Sequence, residues 1–434
     1  MIETDTLIIG AGLCGLSCGY HLRKAGHADF LILESNPYPG GLSSSIRQDG
    51  FIFDWSGHLL HLHSPEGKKL VRSLLRGNLL EIKRSAWIHL YGVQTRYPFQ
   101  ANTYGLPKEV ISECVTGFLK AWQAGEHPVH TGPFDRWAAA LFGNGICRHF
   151  MYPYNRKLWQ YPLDKMTAEW CGAFVPRPRP EEVLKGAYFE QGKAFGYNAS
   201  FLYPEKGGIG ALASALAAKT GNISYSTKVL SVSLKKKEAL VRGRDGGTET
   251  VKFKRLLNTS PLKDFALSAR DCPAAVKNAA RRLKCAGVDV LNLGVKGRIS
   301  DRHWFYFPEK KYPFYRAGIA SNFSKNTSPS NTSSLYIEVP HEGLPVSNAE
   351  IVDGLRDAGL LKKSNSMLTE QRLSIPCAYV IYDKEINAAR KTVMTALRKA
   401  GCLSSGRYGG WKYSFMEEAI TDGRRAAEEL LSIR

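Results

Sequence analysis

Within its first 34 residues the chain commits itself to a strand, a glycine turn, a helix and a second strand. Thr6, Leu7, Ile8 and Ile9 run into Gly10, Gly12 and Gly15, and the next apolar run, 30–33, is closed by Glu34. Residues 16–25 between them read as a helix that stops at Gly26. In this order the first glycine makes the tight turn, the second lets backbone NH groups approach a pyrophosphate, and the third packs helix on strand. An acid roughly 20 residues on can accept hydrogen bonds from an adenosine ribose, and a helix N-terminus favours phosphate charge. A merely structural turn needs none of these companions. The pattern therefore predicts dinucleotide binding through Gly10, Gly12, Gly15 and Glu34.

The chain's 434 residues leave room for two or three packed units, and 44% apolar content is ordinary for a globular protein. The opening apolar run is too short and too poor in basic residues for a signal peptide, and no apolar stretch approaches 18 residues, so no transmembrane segment is expected. Nine cysteines carry no CxxC or Cys/His spacing suited to a metal, so no metal is expected and a reducing, cytoplasmic setting fits. A formal charge of +20 raises affinity for polyanions and suits an anionic small substrate. The basic clusters 235–237 and 281–282 are short and lack interleaved aromatics, which argues against a nucleic-acid partner.

Periodicity predicts an α/β chain with a discontinuous, Rossmann-like nucleotide-binding domain from residues 1–84, 205–275 and 400–434. A helical substrate or lid domain is expected over 101–194. An antiparallel-sheet substrate domain is expected from 85–100, 195–204 and 276–399, with 327–334 as a polar loop and 348–362 and 387–400 as helical connections. The last helix, about 416–431, has Ala419, Ile420, Ala426, Ala427, Leu430 and Leu431 on its apolar side and belongs against the first domain.

Which dinucleotide binds is decided just downstream. Pro39, Gly40, Gly41 and Leu42 lead into Ser43–Ser45, then Phe51, Phe53, Asp54, Ser56, Gly57 and His58. This resembles the amine-oxidase and protoporphyrinogen-oxidase-like FAD proteins, and the resemblance implies FAD, with Gly40, Gly41, Leu42, Ser56 and Gly57 extending its cradle. Four further clusters narrow it: Tyr97, Pro98, Phe99, Gln100 and Asn102; Tyr152, Pro153, Tyr154, Asn155, Lys157 and Trp159; Trp304 to Phe307 with Pro313, Phe314, Tyr315, Arg316, Ser321 and Asn322; and Gly406, Arg407, Tyr408, Gly409, Trp411 and Tyr413. With His58 and His61, and in this order along the whole chain, they resemble the UDP-galactopyranose mutases, especially the eukaryotic form.

Read without a family, Phe99, Tyr154 and Trp159 offer flat faces for a base, and Gln100 and Asn155 offer paired donors and acceptors for its edge. Each single aromatic is more ordinarily a core residue, whereas a buried amide must find partners. Arg316 would be an ordinary surface arginine on a strand, but facing a pocket it could clamp a diphosphate bidentately. The resemblance implies that Arg316 touches substrate diphosphate and flavin, that His58 lies beside the isoalloxazine, that Arg407 holds FAD at a helix N-terminus, and that Tyr379 and Tyr413 bind the diphosphate. The bland role of both tyrosines is packing with polar tips. Departures accompany it: Phe174 stands where a mutase arginine is expected, with Arg177 or Arg179 as replacement, Phe323 replaces a tyrosine, and the loop after Tyr413 is shortened.

The resemblance implies a redox-neutral mutase that interconverts pyranose and furanose forms of a nucleotide-diphosphate hexose, by attack of reduced flavin N5 on the anomeric carbon. The protein then needs no catalytic triad or carboxylate pair, and none is recognisable. An external reductant such as NADPH is compatible with this, as is a homo-oligomer, although no second nucleotide fingerprint is visible. The competing reading is an FAD-dependent oxidoreductase of the amine-oxidase or desaturase kind, which leaves Gln100, Asn155 and Arg316 unexplained. A non-catalytic flavoprotein or nucleic-acid-binding module is the third.

Overall fold

The computed structural model describes residues 2–126, 128–192, 195–196 and 199–432. The strand Ile2–Ile9 pairs in parallel with Phe30–Leu33 on one side and with Thr248–Asn258 on the other. Such parallel pairs need crossovers, supplied here by the helix Leu13–Lys24 and by a long excursion through the rest of the molecule. Ile223–Ser224 extends one edge, and Lys228–Ser233 and Glu238–Arg242 extend the other as an antiparallel meander, while Cys402–Ser404 joins Thr248–Asn258 in parallel. Leu7, Ile8 and Leu257 have no exposure, as expected of strands covered on both faces.

The second seven-stranded sheet runs in the spatial order Met367–Val380, Cys285–Lys296, Thr332–Pro340, Arg316–Ile319, Trp304–Tyr306, Ala86–Leu90, Val93–Arg96. Every pair is antiparallel except Trp304–Tyr306 with Ala86–Leu90. The α/β architecture and the antiparallel second sheet are as the sequence predicts. Between the sheets in chain order lie the helices Lys108–Ala124, Phe134–Ile146, Tyr152–Trp159 and Pro180–Tyr188, gathered on a core that includes Phe118, Trp137 and Phe142.

Several segments depart from the sequence expectation. Thr332–Ser334 belong to a strand rather than to a polar loop, because Ser333 and Ser334 pair with Val295 and Gly294. The long strand Met367–Val380 was not foreseen; it carries Pro376, which a strand tolerates at a sheet edge. Ser200–Tyr203 forms a separate ribbon with Leu80–Lys83 instead of joining the second sheet. The helix Ile386–Lys399, expected with the sheet domain, packs on Ala274–Arg281 and on Cys402–Ser404, in the core of the first sheet. The helix Pro65–Leu75 also escaped notice, although its signature is complete: Ser64 caps it by accepting from the Gly67 NH at 3.0 Å, and Pro65 opens it.

The last helix, Met416–Ser432, lies against Leu13–Lys24 so closely that a Cβ at Gly423 would stand 2.2 Å from the Cys14 carbonyl oxygen. Ser17 reinforces the contact by donating to the Ile420 carbonyl at 2.7 Å. Backbone cannot yield as a flexible side chain can. Gly423→Ala is expected to lower unfolding free energy by about 1–3 kcal/mol, read from denaturant titration.

Candidate functional site

At the glycine turn each glycine has a different physical reason. Gly10 has φ +100°, and its NH donates to the Leu33 carbonyl at 2.8 Å. A Cβ on Gly15 would lie 2.0 Å from the Gly10 oxygen, so only glycine lets the helix approach the turn. Gly12 is extended, with φ −70° and ψ 174°, and a Cβ there would meet nothing within 4 Å. Its glycine is required by no protein neighbour, which leaves room for a ligand against the start of a helix with no acid in its first turn.

Glu34, buried, completes this cradle. Its Oε2 accepts from the Ala11 NH at 2.8 Å, and its Oε1 accepts from the Asn36 NH at 2.8 Å. Gly40, with φ +113°, donates to the Ala11 carbonyl at 2.8 Å, bridges Gly12 and brings Gly41 beside it, with Leu42 next in the same short helix. Asp54 secures the neighbouring loops by accepting from Ser45 Oγ and Tyr203 OH, both at 2.6 Å, and from the Ile209 NH at 3.1 Å. Its burial pushes the carboxyl up to about 6. The open space at Gly12, the acid-free helix start and the Glu34 carboxylate together fit FAD.

The second sheet faces this cradle with a buried ion pair. Arg316 and Glu338 are register partners on adjacent strands. Arg316 Nε donates to Glu338 Oε2 at 2.8 Å, its Nη2 meets Oε1, and Ser56 Oγ donates to that same Oε1. Glu338 has no exposure, whereas the Arg316 side chain keeps 20%. Burial is the largest single influence and opposes the guanidinium's charge, but Glu338 together with the surrounding tyrosines outweighs it and holds Arg316 above its ordinary pKa. Sequence reading missed Glu338. A charge inside the otherwise uncharged strand Thr332–Pro340 was the available signal, since alternation sends Leu335, Ile337 and Val339 to one core and Ser334, Tyr336 and Glu338 to the opposite face.

Phenols surround the pair. Tyr154 meets Tyr306 edge-on at 5.3 Å and Tyr315 at 6.1 Å, and Tyr379 lies nearly parallel to Tyr413 at 6.5 Å. Burial raises the pKa of Tyr154, Tyr315, Tyr336, Tyr379 and Tyr413, so these hydroxyls remain neutral donors. The Tyr315 hydroxyl and the Trp170 and Trp304 indole NH groups are buried without a hydrogen-bond partner. Arg407, whose short helix begins at Gly406 against Cys14, reaches between the two layers. It donates to the carbonyls of Ser414 at 2.5 Å and Ala378 at 2.9 Å and lies 5.2 Å from the Tyr413 ring centre.

Other predicted residues occupy different places. Phe99 is fully buried and stacks on Phe150, which stacks on Tyr154, so its face is spent on protein. The Asn155 amide is consumed inside its own helix, donating to the Met151 carbonyl at 2.7 Å and accepting from Trp159 Nε1 at 3.0 Å. Trp159 packs on Tyr379 at 5.7 Å. Gln100 donates to the Pro176 carbonyl at 2.6 Å and retains an unpartnered buried Oε1. Arg177 is not brought to Arg316: its guanidinium lies 5.5 Å from the Trp137 ring and contacts His130 Nε2 at 3.2 Å. Phe174 packs against Tyr413 and Phe415, and Phe323 against Phe201, Tyr203 and Tyr336.

The loop Ser56–His58 connects cradle and ion pair. His58 Nδ1 lies 3.3 Å from the Ser56 carbonyl, and desolvation pushes the imidazole down to about 4, so it is neutral at physiological pH. Gly57 sits under Tyr336, whose hydroxyl would be 2.3 Å from any Cβ. Lys157, noted in sequence only as part of a cluster, donates to the carbonyls of Phe307, Glu309, Tyr312 and Phe314 at 2.5–3.0 Å and ties down the segment that enters Arg316. Among the described residues no group of three or more His, Cys, Asp and Glu could hold a metal ion, and no helix is long and apolar enough to cross a membrane.

Three outcomes follow from this geometry. Gly12→Val should leave the fold intact yet abolish the bound-flavin absorbance, because the added methyls fill ligand space alone. Lys157→Met should cost about 2–3 kcal/mol in denaturant unfolding by stranding the carbonyls that share one ammonium. His58, His61 and His303 are all pushed down to about 4, chiefly by desolvation, whereas unfolded histidines protonate near the usual 6.5. The unfolded chain therefore binds more protons in that window, and the denaturation midpoint should fall as pH drops from 6.5 to 4, partly offset by Asp54, whose folded pKa is raised.

A family model described as flavin-containing amine oxidoreductase matches residues 13–431. The chain is similar over its full length to a solved structure of reduced UDP-galactopyranose mutase, with TM-score 0.91 and 25% identity, covering 100% of this chain and 95% of that one. Likeness to a protoporphyrinogen oxidase described for Exiguobacterium sp. 255-15, at TM-score 0.72, 16% identity and 98% of both chains, shows the shared fold alone. Local sequence similarity extends to L-amino-acid oxidases of Sistrurus catenatus edwardsii, 29% identical over 117 residues, and Cerastes cerastes, 31% over 96. These alignments span 26% and 21% of this chain, and only 22% and 18% of those relatives.

Proposed function

The chain belongs to the flavin-containing amine oxidoreductase family, and within it we propose that it is a flavin-dependent nucleotide-sugar mutase that interconverts pyranose and furanose forms of a nucleoside-diphosphate hexose. The observation that carries this reading is Arg316, aimed from the second sheet into a ring of neutral tyrosine donors opposite the FAD cradle. A diphosphate leaving group calls for this combination of guanidinium and hydroxyls. Full-length similarity to the reduced mutase at 25% identity supports it.

When bound and reduced, FAD supplies the nucleophile, and an external reductant such as NADPH would keep it reduced. The chain's own work is then positioning and charge stabilisation. Gly10, Gly12, Gly15, Glu34, Gly40, Gly41 and Leu42 hold the cofactor, with Arg407 joining it to the pocket. Arg316 keeps two nitrogens on Glu338 and presents its remaining edge to the diphosphate, where the Tyr379 and Tyr413 hydroxyls donate as well. Neutral His58 offers an uncharged nitrogen beside the flavin. Tyr154, whose ring stacks through Phe150 to Phe99, lines the nucleotide side, and the free Oε1 of Gln100 seeks a donor there.

Phe174 favours a second reading. Phe174 rather than an arginine packs on Tyr413, Arg316 is paired with Glu338, and Arg407 beside Tyr413 is held by two backbone carbonyls, which together suit an amine or amino-acid substrate oxidised by hydride transfer to FAD. Anaerobic incubation of oxidised and reduced holoprotein with UDP-, GDP- and TDP-hexoses separates the two. Isomerisation only with reduced flavin establishes the mutase, whereas flavin bleaching by an amine with no isomerisation replaces it. Under the mutase reading, Arg316→Ala should retain FAD and lose about 2–5 kcal/mol of transition-state stabilisation, measured as kcat/KM.

A further inference from the structure

Of the nine cysteines, seven are buried, and only Cys285 and Cys377 are half-buried. They lie on neighbouring antiparallel strands, Cys285–Lys296 and Met367–Val380, at the outer edge of the second sheet. The ladder is irregular there. Register passes from Ala286↔Tyr379 to Val288↔Ile375, so two steps on one strand are matched by four on the other. The surplus residues, exposed Pro376 and Cys377 among them, bulge from the ladder. The bulge brings Cys377 toward Cys285, and the two thiols pack on the same apolar core and interact with each other.

That interaction also differentiates the two sulfurs. The interaction with Cys377 is the largest influence on Cys285 and lowers its pKa against the effect of burial, with Lys263 assisting. Cys377 is raised correspondingly. The more acidic thiol is thus already in contact with its resolving partner. By contrast, Cys14, Cys18, Cys114, Cys147, Cys171 and Cys402 are buried thiols whose pKa values rise through desolvation, the pattern of inert packing residues.

We propose that Cys285 and Cys377 form a reversible oxidation site, a dithiol that hydrogen peroxide converts into an intramolecular disulfide. The Cys285 thiolate attacks one peroxide oxygen; an S–O bond forms, the O–O bond breaks, and the departing hydroxide takes a proton to leave as water. Cys377 then attacks the sulfenic sulfur, the S–S bond forms, and hydroxide leaves with the Cys377 proton as a second water. Two thiols are oxidised by two electrons and the peroxide is reduced by two. The next residue after Cys377 is Ala378, whose carbonyl accepts from Arg407 at 2.9 Å, and Tyr379 follows into the pocket, so the bond would form one residue from the pocket wall.

The test uses the flavin-loaded, full-length protein. After graded hydrogen peroxide treatment, the protein is denatured, alkylated and digested, and peptide mass spectra are compared with and without dithiothreitol. The expected result is paired loss of alkylation at Cys285 and Cys377, a linked peptide containing both, and recovery on reduction, before any other cysteine reacts. In Cys377→Ala, Cys285 should accumulate as a sulfenic acid trapped by dimedone, and in Cys285→Ala, Cys377 should stay alkylatable. Earlier oxidation of another cysteine, or persistence of both thiols in the wild-type protein, would overturn the proposal without reference to either variant.

Discussion

The parallel ladder between Ile2–Ile9 and Thr248–Asn258 is the constraint on which the rest depends, because it joins segments more than 200 residues apart and encloses the whole excursion between them. It sets Thr259 against the glycine turn, where the threonine NH and hydroxyl bind the Ile9 carbonyl at 3.0 and 2.7 Å. Loop closure on this scale is entropically costly only logarithmically, so one continuous ladder with a dry core on both faces can hold it. The last helix adds a second closure by wedging Gly423 onto the Cys14 backbone. The cradle is thus built from both ends of the chain.

The second sheet contributes a different kind of constraint. Arg316 and Glu338 face each other by strand register, so their pairing is fixed before any side chain chooses a rotamer. A carboxylate without exposure is costly unless its oxygens are satisfied, and Arg316 with Ser56 satisfies them. Because Ser56 belongs to the loop that also carries Gly57 and His58, the pair fastens the second sheet to the loop beside the glycine cradle. Arg407 provides a parallel link, held by carbonyls from Ala378 and Ser414 while its planar head lies among Tyr379, Tyr408 and Tyr413.

The sequence made the cradle legible because its physics is local: a turn, a close helix and an acid must follow one another at short spacing. The same holds for the alternating strands around Trp304 and Leu335. What could not be read was partnership across the fold. Asn155 sits in a motif suggestive of base recognition, yet its amide is absorbed by Met151 and Trp159 one helical turn away on either side. Glu338 gave the opposite error, since a lone acid in a strand reads as solvent-facing until its register partner is known. Met367–Val380 was hidden because Pro376 and scattered charges disguise an edge strand, and with it went the position of Tyr379 and the contact between Cys285 and Cys377.

Charge placement finally bears on the substrate proposed for this pocket. The chain's formal excess of +20 is spread over many lysines and arginines, which can attract an anion toward the molecule but cannot stabilise it once water is excluded. Inside, one guanidinium edge remains after Glu338 has taken two nitrogens, Arg407 is already donating to two carbonyls, and Arg177 lies over Trp137. Under the proposed mutase reading, much of the neutralisation of a diphosphate would therefore come from oriented tyrosine hydroxyls. Neutral donors stabilise a spreading charge well when they are preorganised in a dry site, and they do so without binding the ground state as tightly as a second buried cation would. On the proposed mutase reading, this balance favours departure and return of the diphosphate over its tight retention, as a reversible isomerisation requires.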